Sequence, residues 1–287
     1  MPYYPQNGRI GWWALVRLYI SADLEGVAAV VSSSQLTEPL EYERARRWMT
    51  EEVSAAIRGA SSAGVDQIVV NDAHLTMTNL LVDDLPGYVE VISGKPKELG
   101  MMAAIDDNFD LAFFIGYHAR HGSPGVLSHS YSDAIVGMEL NGLEIGELGF
   151  NAALAGVFGV PVALVSGDEE VALEGSQLVG TSFVIVKSSV SQQSARTLLP
   201  KQSQAMIEQK SYEIIQAWKT GNVHLEAYYL EGPYCLRVIF RSPLMAKIVS
   251  FMPGLKQRDP CCVEFYHSDF PTVYRAFQAM LILAGRP

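Results

Sequence analysis

The chain has few cysteines and none in a recognisable pattern. Its 287 residues include Cys235, Cys261 and Cys262, of which two are adjacent, and no CxxC or zinc-finger spacing occurs. An odd number of cysteines without such spacing argues against a disulfide scaffold or a zinc finger. A reduced, cytoplasmic compartment is therefore the expectation.

Basic residues and long apolar runs are also scarce. Lysine and arginine are outnumbered by acidic residues, 21 to 31, which gives a formal net charge of -10. Nucleic acid and anionic membrane surfaces repel a protein of this charge, so we expect neither as a partner. The apolar stretch at residues 12–16 is ended by Arg17 and is too short to span a bilayer. Residues 1–15 are predicted to be an N-terminal extension.

Apolar strand-like runs alternate with helix-like stretches along most of the chain. This alternation is typical of an α/β fold with a mainly parallel sheet flanked by helices. Strands are predicted at residues 16–21, 67–71, 111–115, 162–165 and 183–186, and helices at 41–63, 147–158 and 200–219. A two-residue hairpin turn is predicted at Asn141-Gly142.

The last third of the sequence changes character. Its strand-like stretches lie at residues 224–229, 235–240 and 263–267, and a final helix is predicted at 272–283. We therefore predict a catalytic, metal-binding α/β domain over residues 16–200 and a smaller C-terminal α+β domain over residues 201–287.

Two acidic residues, Asp23 and Glu25, directly follow the first predicted strand. Residues two apart on a strand point to the same face, so both carboxylates leave the strand end together. Like charges held that close raise each other's pKa unless a cation lies between them. The alternative is a solvated strand end followed by a turn, and this segment alone does not decide between the two.

Three more residues of types that bind metal ions lie at the end of a predicted strand or at the start of a predicted helix. His74 and His118 each follow a buried strand-like run, and Glu147 begins a predicted helix beside two glycines. In open α/β sheets, ligands bind at the carboxyl ends of the strands, so these residues are expected to meet the acid pair there. Each histidine alone is more readily explained as a structural residue, and Glu147 alone could be an acid placed favourably at a helix N-terminus. The combination of the three with the acid pair favours a site.

The combined set contains two imidazoles and three carboxylates, which suits zinc, manganese or cobalt. Five ligands exceed what one catalytic zinc takes from a protein. They suit two ions about 3.5–4 Å apart that share one carboxylate. Asp23 is the candidate bridge because it is short and lies at the strand end. The candidate metal ligands are Asp23, Glu25, His74, His118 and Glu147.

A turn-rich stretch after His118 carries the candidate catalytic residue, His129, between two serines. We expect this stretch to form a loop over the strand ends. There His129 could act as a general base, a proton shuttle or a nucleophile. A histidine in an ordinary surface loop is the alternative.

Residues next to the candidate ligands are expected to support them. Asn71 and Asp72 precede His74 and are expected to orient it through hydrogen bonds. Asp168 lies at another strand end, where it would either contact substrate or cap the following helix.

Taken together and in order, these stretches resemble the zinc-dependent D-aminopeptidases that are encoded with dipeptide-transport systems. From about residue 16, the resemblance covers nearly the whole chain. The stretches that carry it are SADLEG at 21–26, NDAH at 71–74, GYHAR at 116–120, PGVLSHS at 124–130, GELGFN at 146–151 and SGD at 166–168.

The resemblance implies a metal-dependent aminopeptidase that removes N-terminal residues, D-amino acids among them, from short peptides. It implies two zinc ions per subunit on the five candidate ligands, with His129 as an active-site residue. It also implies self-association into a ring, a decamer whose active sites face an inner channel.

Two other functions stay open at this point. The same ligands serve binuclear amidases and phosphoesterases that act on other small molecules. A non-catalytic ring assembly that keeps metal for stability is the third possibility, and it would bind metal without turning over any amide.

Overall fold

A computed structural model describes residues 15–285, so the predicted N-terminal extension lies almost entirely outside the described residues. Within that range, the chain forms one seven-stranded and one five-stranded β-sheet. The first sheet contains β1 (Arg17–Ala22), β2 (Gln67–Asp72), β3 (Glu90–Ile92), β4 (Leu111–Tyr117), β7 (Val162–Asp168), β8 (Ser182–Ser191) and β9 (Ser194–Thr197). The second contains β5 (Ile135–Leu140), β6 (Leu143–Glu144), β10 (Tyr234–Phe240), β11 (Leu255–Gln257) and β12 (Cys262–His267).

Several helices begin at a proline, whose fixed φ and missing N–H suit the first helical turn. Among the described residues, none of the helices has both the length and the apolar character that crossing a bilayer requires. The α-helices of this range are α1 (Ser34–Thr37), α2 (Pro39–Ser62), α3 (Glu147–Val157), α4 (Glu169–Glu174), α5 (Pro200–Lys219), α6 (Pro243–Val249) and α7 (Phe270–Ala284).

The strand order of the first sheet is β3-β2-β1-β4-β7-β8-β9, and every neighbouring pair is parallel except β8 with β9. The second sheet is antiparallel, and the predicted Asn141-Gly142 turn joins β5 to β6. The predicted α/β class with a mainly parallel sheet is confirmed. Because β1 lies between β2 and β4, the residues that follow these three strands emerge side by side.

Both faces of the parallel sheet are covered, which explains its nearly continuous apolar strands. Along β1, Leu18 and Ile20 face one hydrophobic cluster and Tyr19 faces the other, and all three are fully buried. Phe113 and Phe114 on β4 divide in the same way. Fully burying such a side chain stabilises the fold by about 1.5–3 kcal/mol. The strands of this sheet thereby contribute to both hydrophobic clusters.

Two glycines bring the segment after β1 against the end of β4. A Cβ on Gly26 would lie 1.9 Å from the carbonyl oxygen of Tyr117. Gly116 has a φ of +74°, and a Cβ there would lie 2.2 Å from the carbonyl oxygen of Asp23. Only glycine allows this approach, which places the acid pair directly beside the residue that follows β4.

The strand predicted at residues 224–229 is wrong. This segment has no regular secondary structure and lies against α3 and the loop before β8, where the carbonyl oxygen of Tyr228 approaches Gly156. Its alternating pattern reflects partial burial against these neighbours. The edge beside β8 is already occupied by β9, so that edge offers it no strand partner.

The division of the chain at residue 200 stays a prediction. Strands β5 and β6 precede that residue yet belong to the second sheet, where β5 pairs with β10. Helix α5 follows it yet packs against α2 beside the first sheet. The two sheets therefore draw on interleaved parts of the sequence.

Candidate metal centre

Six side chains singled out in the sequence meet at the carboxyl edge of the parallel sheet. Five of them are at most 4% exposed, whereas the side chain of His129 is 26% exposed. The acid pair follows β1, one histidine follows β2, one follows β4, the glutamate opens α3, and the exposed histidine lies in the loop between β4 and β5. They are Asp23, Glu25, His74, His118, Glu147 and His129.

Asp23 lies between two histidines because β1 lies between β2 and β4. Its Oδ1 is 3.3 Å from Nδ1 of His74, and its Oδ2 is 3.6 Å from Nε2 of His118. Glu25 Oε2 approaches the same Nδ1 of His74 at 2.9 Å. The two oxygens of Asp23 thus face different imidazoles, which is the arrangement that a carboxylate shared by two ions requires.

Glu147 closes the other side of the cluster. Its Oε1 lies 3.4 Å from Nε2 of His118 and 3.8 Å from Nε2 of His129. The same oxygen accepts a hydrogen bond of 2.6 Å from the backbone N–H of Tyr131. One carboxylate therefore faces both a buried and a partly exposed histidine.

The hydrogen bond of each ring sets which nitrogen is free. His118 Nδ1 lies 2.9 Å from the carbonyl oxygen of Ala119, and His129 Nδ1 lies 3.0 Å from that of Leu127. When Nδ1–H donates to a carbonyl, Nε2 keeps its lone pair for a metal or a proton. In both residues, Nε2 faces Glu147.

The cluster fits a pair of metal ions. Nε2 of His74 and Nε2 of His118 are buried and make no hydrogen bond to any described residue. Buried polar atoms in native proteins nearly always have a partner, so Nε2 of His118, which faces Asp23 and Glu147, points to a bound cation. The ligand atoms also form two groups, each within 4.8 Å, that share His118: Asp23, Glu25 and His118, and His118, His129 and Glu147. His74 belongs to neither of these groups, and the second includes the candidate catalytic residue.

The three buried carboxylates perturb each other and the histidines. Burial and the charge of Glu25 raise the pKa of Asp23 to about 6. Burial lowers the pKa of His118, but the charge of Glu147 outweighs this and raises that pKa to about 10. The pKa of His74 is likewise raised, because Glu25 and Asp23 outweigh its burial. Without metal, imidazolium charges balance the carboxylates, and a divalent cation would replace those protons.

Asp72, expected to orient the His74 imidazole, instead makes hydrogen bonds to the backbone of the loop that carries His74. Asp72 accepts hydrogen bonds from the N–H groups of Asn79 and Leu80, and Asn79 Nδ2 donates to the carbonyl oxygen of His74. Asp72 therefore shapes the loop that carries His74, and its hydrogen bonds do not go to the imidazole. Asn71 Nδ2 donates to the carbonyl oxygen of Met101, away from the cluster.

Asp168 caps the helix that follows it. Its Oδ1 accepts the N–H of Val171 at 3.0 Å, and its Oδ2 accepts the N–H of Val126 at 2.7 Å. Of the two roles expected for Asp168, the structure supports the helix cap, with an added contact to the loop that carries His129.

Sequence reasoning missed Lys187, which is 2% exposed at the position on β8 that pairs with Asp168 on β7. Its Nζ donates to the carbonyl oxygens of Glu25, Val27 and Val30. Burial lowers its pKa to about 8, despite nearby carboxylates. The sequence offered one signal for it: a charged residue directly follows the apolar run 183–186, just as Asp23 and His118 follow apolar runs close by.

Comparison with known proteins agrees with this architecture. The pattern that describes the D-aminopeptidase family matches residues 16–279. A D-aminopeptidase of Bacillus subtilis (strain 168) is 32% identical over 274 residues, which are 94% of this chain and 98% of that protein.

A solved structure supports the same relationship. The Zn-dependent D-aminopeptidase DppA from Bacillus subtilis, described as a self-compartmentalizing protease, matches with a TM-score of 0.90 and 32% identity. The match covers 95% of this chain and 99% of that one. The resemblance stated from the sequence is confirmed, and the chain belongs to the D-aminopeptidase family.

Proposed function

We propose that this enzyme removes N-terminal residues, D-amino acids among them, from short peptides with a pair of zinc ions. The observation that carries the proposal is the meeting of Asp23, Glu25, His74, His118 and Glu147 in one buried cluster, where Nε2 of His118 lacks a hydrogen-bond partner. The zinc dependence and the D-configuration come from the relatives described above.

The five side chains divide between two ions. Glu25 and His74 would hold one, His118 and Glu147 would hold the other, and Asp23 would contact both. A bound zinc pair lowers the pKa of water towards neutrality and polarises the scissile carbonyl. Burial of the ligands excludes bulk water, so electrostatic interactions with the substrate are stronger there than in solvent.

His129 is the proposed acid–base residue. Its Nδ1–H is held by the Leu127 carbonyl oxygen, so Nε2 would accept a proton from water and return it to the leaving amine. Its partial exposure lets a substrate reach it, unlike the five buried ligands. Glu147 Oε1, 3.8 Å away, would stabilise the imidazolium formed in between.

A free peptide N-terminus could bind at the site as a neutral amine. Once two zinc ions are bound, their charges exceed those of the three carboxylates, so the amine would bind one of the ions through its lone pair and would not be drawn in as a cation. Such a contact favours removal of an N-terminal residue over cleavage within a long chain. Family membership favours peptide hydrolysis over phosphoesterase chemistry and over a non-catalytic assembly.

We also propose that the enzyme is cytoplasmic and assembles into a ring, a decamer with its active sites facing an inner channel. The support for assembly is the relative described as a self-compartmentalizing protease. Large apolar side chains such as Phe251, which is 71% exposed, are available for contacts between subunits.

The experiment that tests the proposed function combines zinc analysis with turnover. Purified protein is assayed on D- and L-dipeptides and on aminoacyl amides, with a phosphate ester as the control, before and after chelation. The proposal expects two zinc ions per subunit and hydrolysis of D-configured substrates that chelation abolishes and zinc restores. Hydrolysis of the phosphate ester alone, or zinc binding without any amide turnover, would contradict it.

A further inference from the structure

The hairpin formed by β8 and β9 contacts both loops that carry the site. The acid loop, residues 23–31, follows β1 and contains Asp23 and Glu25. The histidine loop, residues 118–131, follows β4 and contains His129. The hairpin lies beside both because β8 extends past β7 to Ser191, beyond the carboxyl edge of its parallel neighbour.

Lys187 ties the hairpin to the acid loop. Its Nζ donates to the carbonyl oxygen of Glu25, to that of Val27 at 3.0 Å and to that of Val30 at 2.5 Å. An ammonium group has three donors, and all three are used on this one loop. The hydroxyl oxygen of Thr197 on β9 accepts the N–H of Ala29 at 2.8 Å. The backbone that presents the Glu25 carboxylate is therefore held from the hairpin.

Gln192, at the hairpin tip, ties it to the histidine loop. Its carbonyl oxygen accepts the N–H of Leu127 at 2.8 Å, and its Nε2 donates to the carbonyl oxygen of Ser128 at 3.2 Å. Leu127 has a φ of +54°, a left-handed conformation that needs outside contacts in a residue with a side chain. The carbonyl oxygen of Leu127 in turn holds Nδ1 of His129. Gln192 thus fixes the residue that orients the imidazole.

We propose that the β8–β9 hairpin positions both halves of the site, with Lys187 as the positioning residue for the acid loop and Gln192 as that for His129. The inference rests on the proposed function, since it takes Asp23 and Glu25 to bind metal and His129 to move a proton. Both residues act through backbone carbonyls. Loss of Lys187 therefore weakens metal binding, whereas loss of Gln192 lowers kcat at full metal occupancy.

The first test compares zinc affinities, measured by competition with a chromophoric chelator. Lys187→Met keeps the length of the side chain but removes its donors, and its zinc affinity is expected to fall about 10- to 100-fold. Lys219→Met is the matched control, because Lys219 donates to the carbonyl oxygens of Ala63 and Gly64, far along the chain from the site. Its zinc affinity is expected to equal that of the parent.

The second test separates kcat from KM. Gln192→Met removes the amide that donates to the carbonyl oxygen of Ser128, at nearly constant size, and keeps the main-chain contact with Leu127. It is expected to lower kcat about 10-fold, with KM and zinc affinity unchanged. Gln192→Lys retains an N–H donor of similar reach and is expected to recover most of the lost kcat. If Gln192 only stabilised the fold, Gln192→Lys would not restore kcat.

The outcomes distinguish this inference from the function on which it rests. Should Lys187→Met fail to fold, Thr197→Val tests the same loop through the N–H of Ala29 and is expected to weaken zinc binding by a smaller factor. Parent-like zinc affinity in a folded acid-loop variant, or equal loss of zinc affinity in Lys187→Met and Gln192→Met, overturns the inference. A parent protein that neither binds zinc nor cleaves D-dipeptides overturns the proposed function instead.

Discussion

The imidazole rings of His118 and His129 are stacked, with centroids 4.2 Å apart and planes inclined by 10°. His118 is buried with Nε2 towards Asp23 and Glu147, whereas His129 lies on the open side of the pair. The stack aligns the two rings so that both Nε2 atoms face Glu147, and only that of His118 also faces Asp23. We infer that the buried ring serves the metal and the exposed ring serves proton transfer.

Replacing the exposed ring tests this division. His129→Ala is expected to lower kcat about 10²- to 10⁴-fold, the usual contribution of general acid–base catalysis, with zinc content unchanged. Steady-state kinetics on a D-dipeptide and zinc analysis of the same sample provide the measurement. Loss of zinc from this variant would instead make His129 a metal ligand, consistent with its position near His118 and Glu147.

The charge of Glu147 is expected to be needed for metal binding. Glu147→Gln keeps the shape of the side chain but removes the negative charge that faces His118, so zinc content is expected to fall towards one ion per subunit and activity at least about 100-fold. Glu144→Gln is the matched control, since Glu144 is exposed and pairs with Arg120. Full zinc content and activity in Glu147→Gln would remove Glu147 from the ligand set.

Zinc binding is expected to release protons. In the metal-free protein, the charge of Glu147 outweighs burial and raises the pKa of His118 to about 10, so this imidazole is protonated at pH 7; the pKa of His74 is also raised. A ligand nitrogen must be neutral, so at least one proton is expected to leave per subunit and zinc affinity to rise with pH. Calorimetric titration in two buffers of different ionisation enthalpy counts these protons. No release at pH 7 would contradict the arrangement.

A buried hydroxyl network links the C-terminal helix to the site. Asn151 lies one helical turn after Glu147 and accepts hydrogen bonds from the hydroxyls of Tyr274 at 2.6 Å and Tyr131 at 2.9 Å. Tyr274→Phe is expected to lower the free energy of unfolding by about 1 kcal/mol, as for one hydrogen bond. Denaturant unfolding measures this change. Tyr229→Phe, at an exposed position, is the control and should match the parent.

Much of the site was predictable because its signals are local. An apolar run followed by Asp23, His74 or His118 marks a strand end within a few residues, and parallel strands bring such ends to one edge. What the sequence did not fix is the strand order, and it is this order that puts Asp23 between the two histidines.

What the sequence did not reveal depends on contacts with residues far away in the chain. Lys187 is separated from Glu25 by 162 positions, so no local pattern reveals that it holds the acid loop. The segment 224–229 alternates like a strand, but whether it becomes one depends on a free sheet edge elsewhere. The boundary at residue 200 stays a prediction, and the pairing of β5 with β10 joins strands on either side of it.

Anomalous diffraction at the zinc absorption edge, from crystals of the zinc-loaded protein, tests the central claim most directly. The account predicts two peaks per subunit at the carboxyl edge of the parallel sheet, with Asp23 contacting both and the other four ligands divided between them. A single peak, or peaks away from these five side chains, would contradict it.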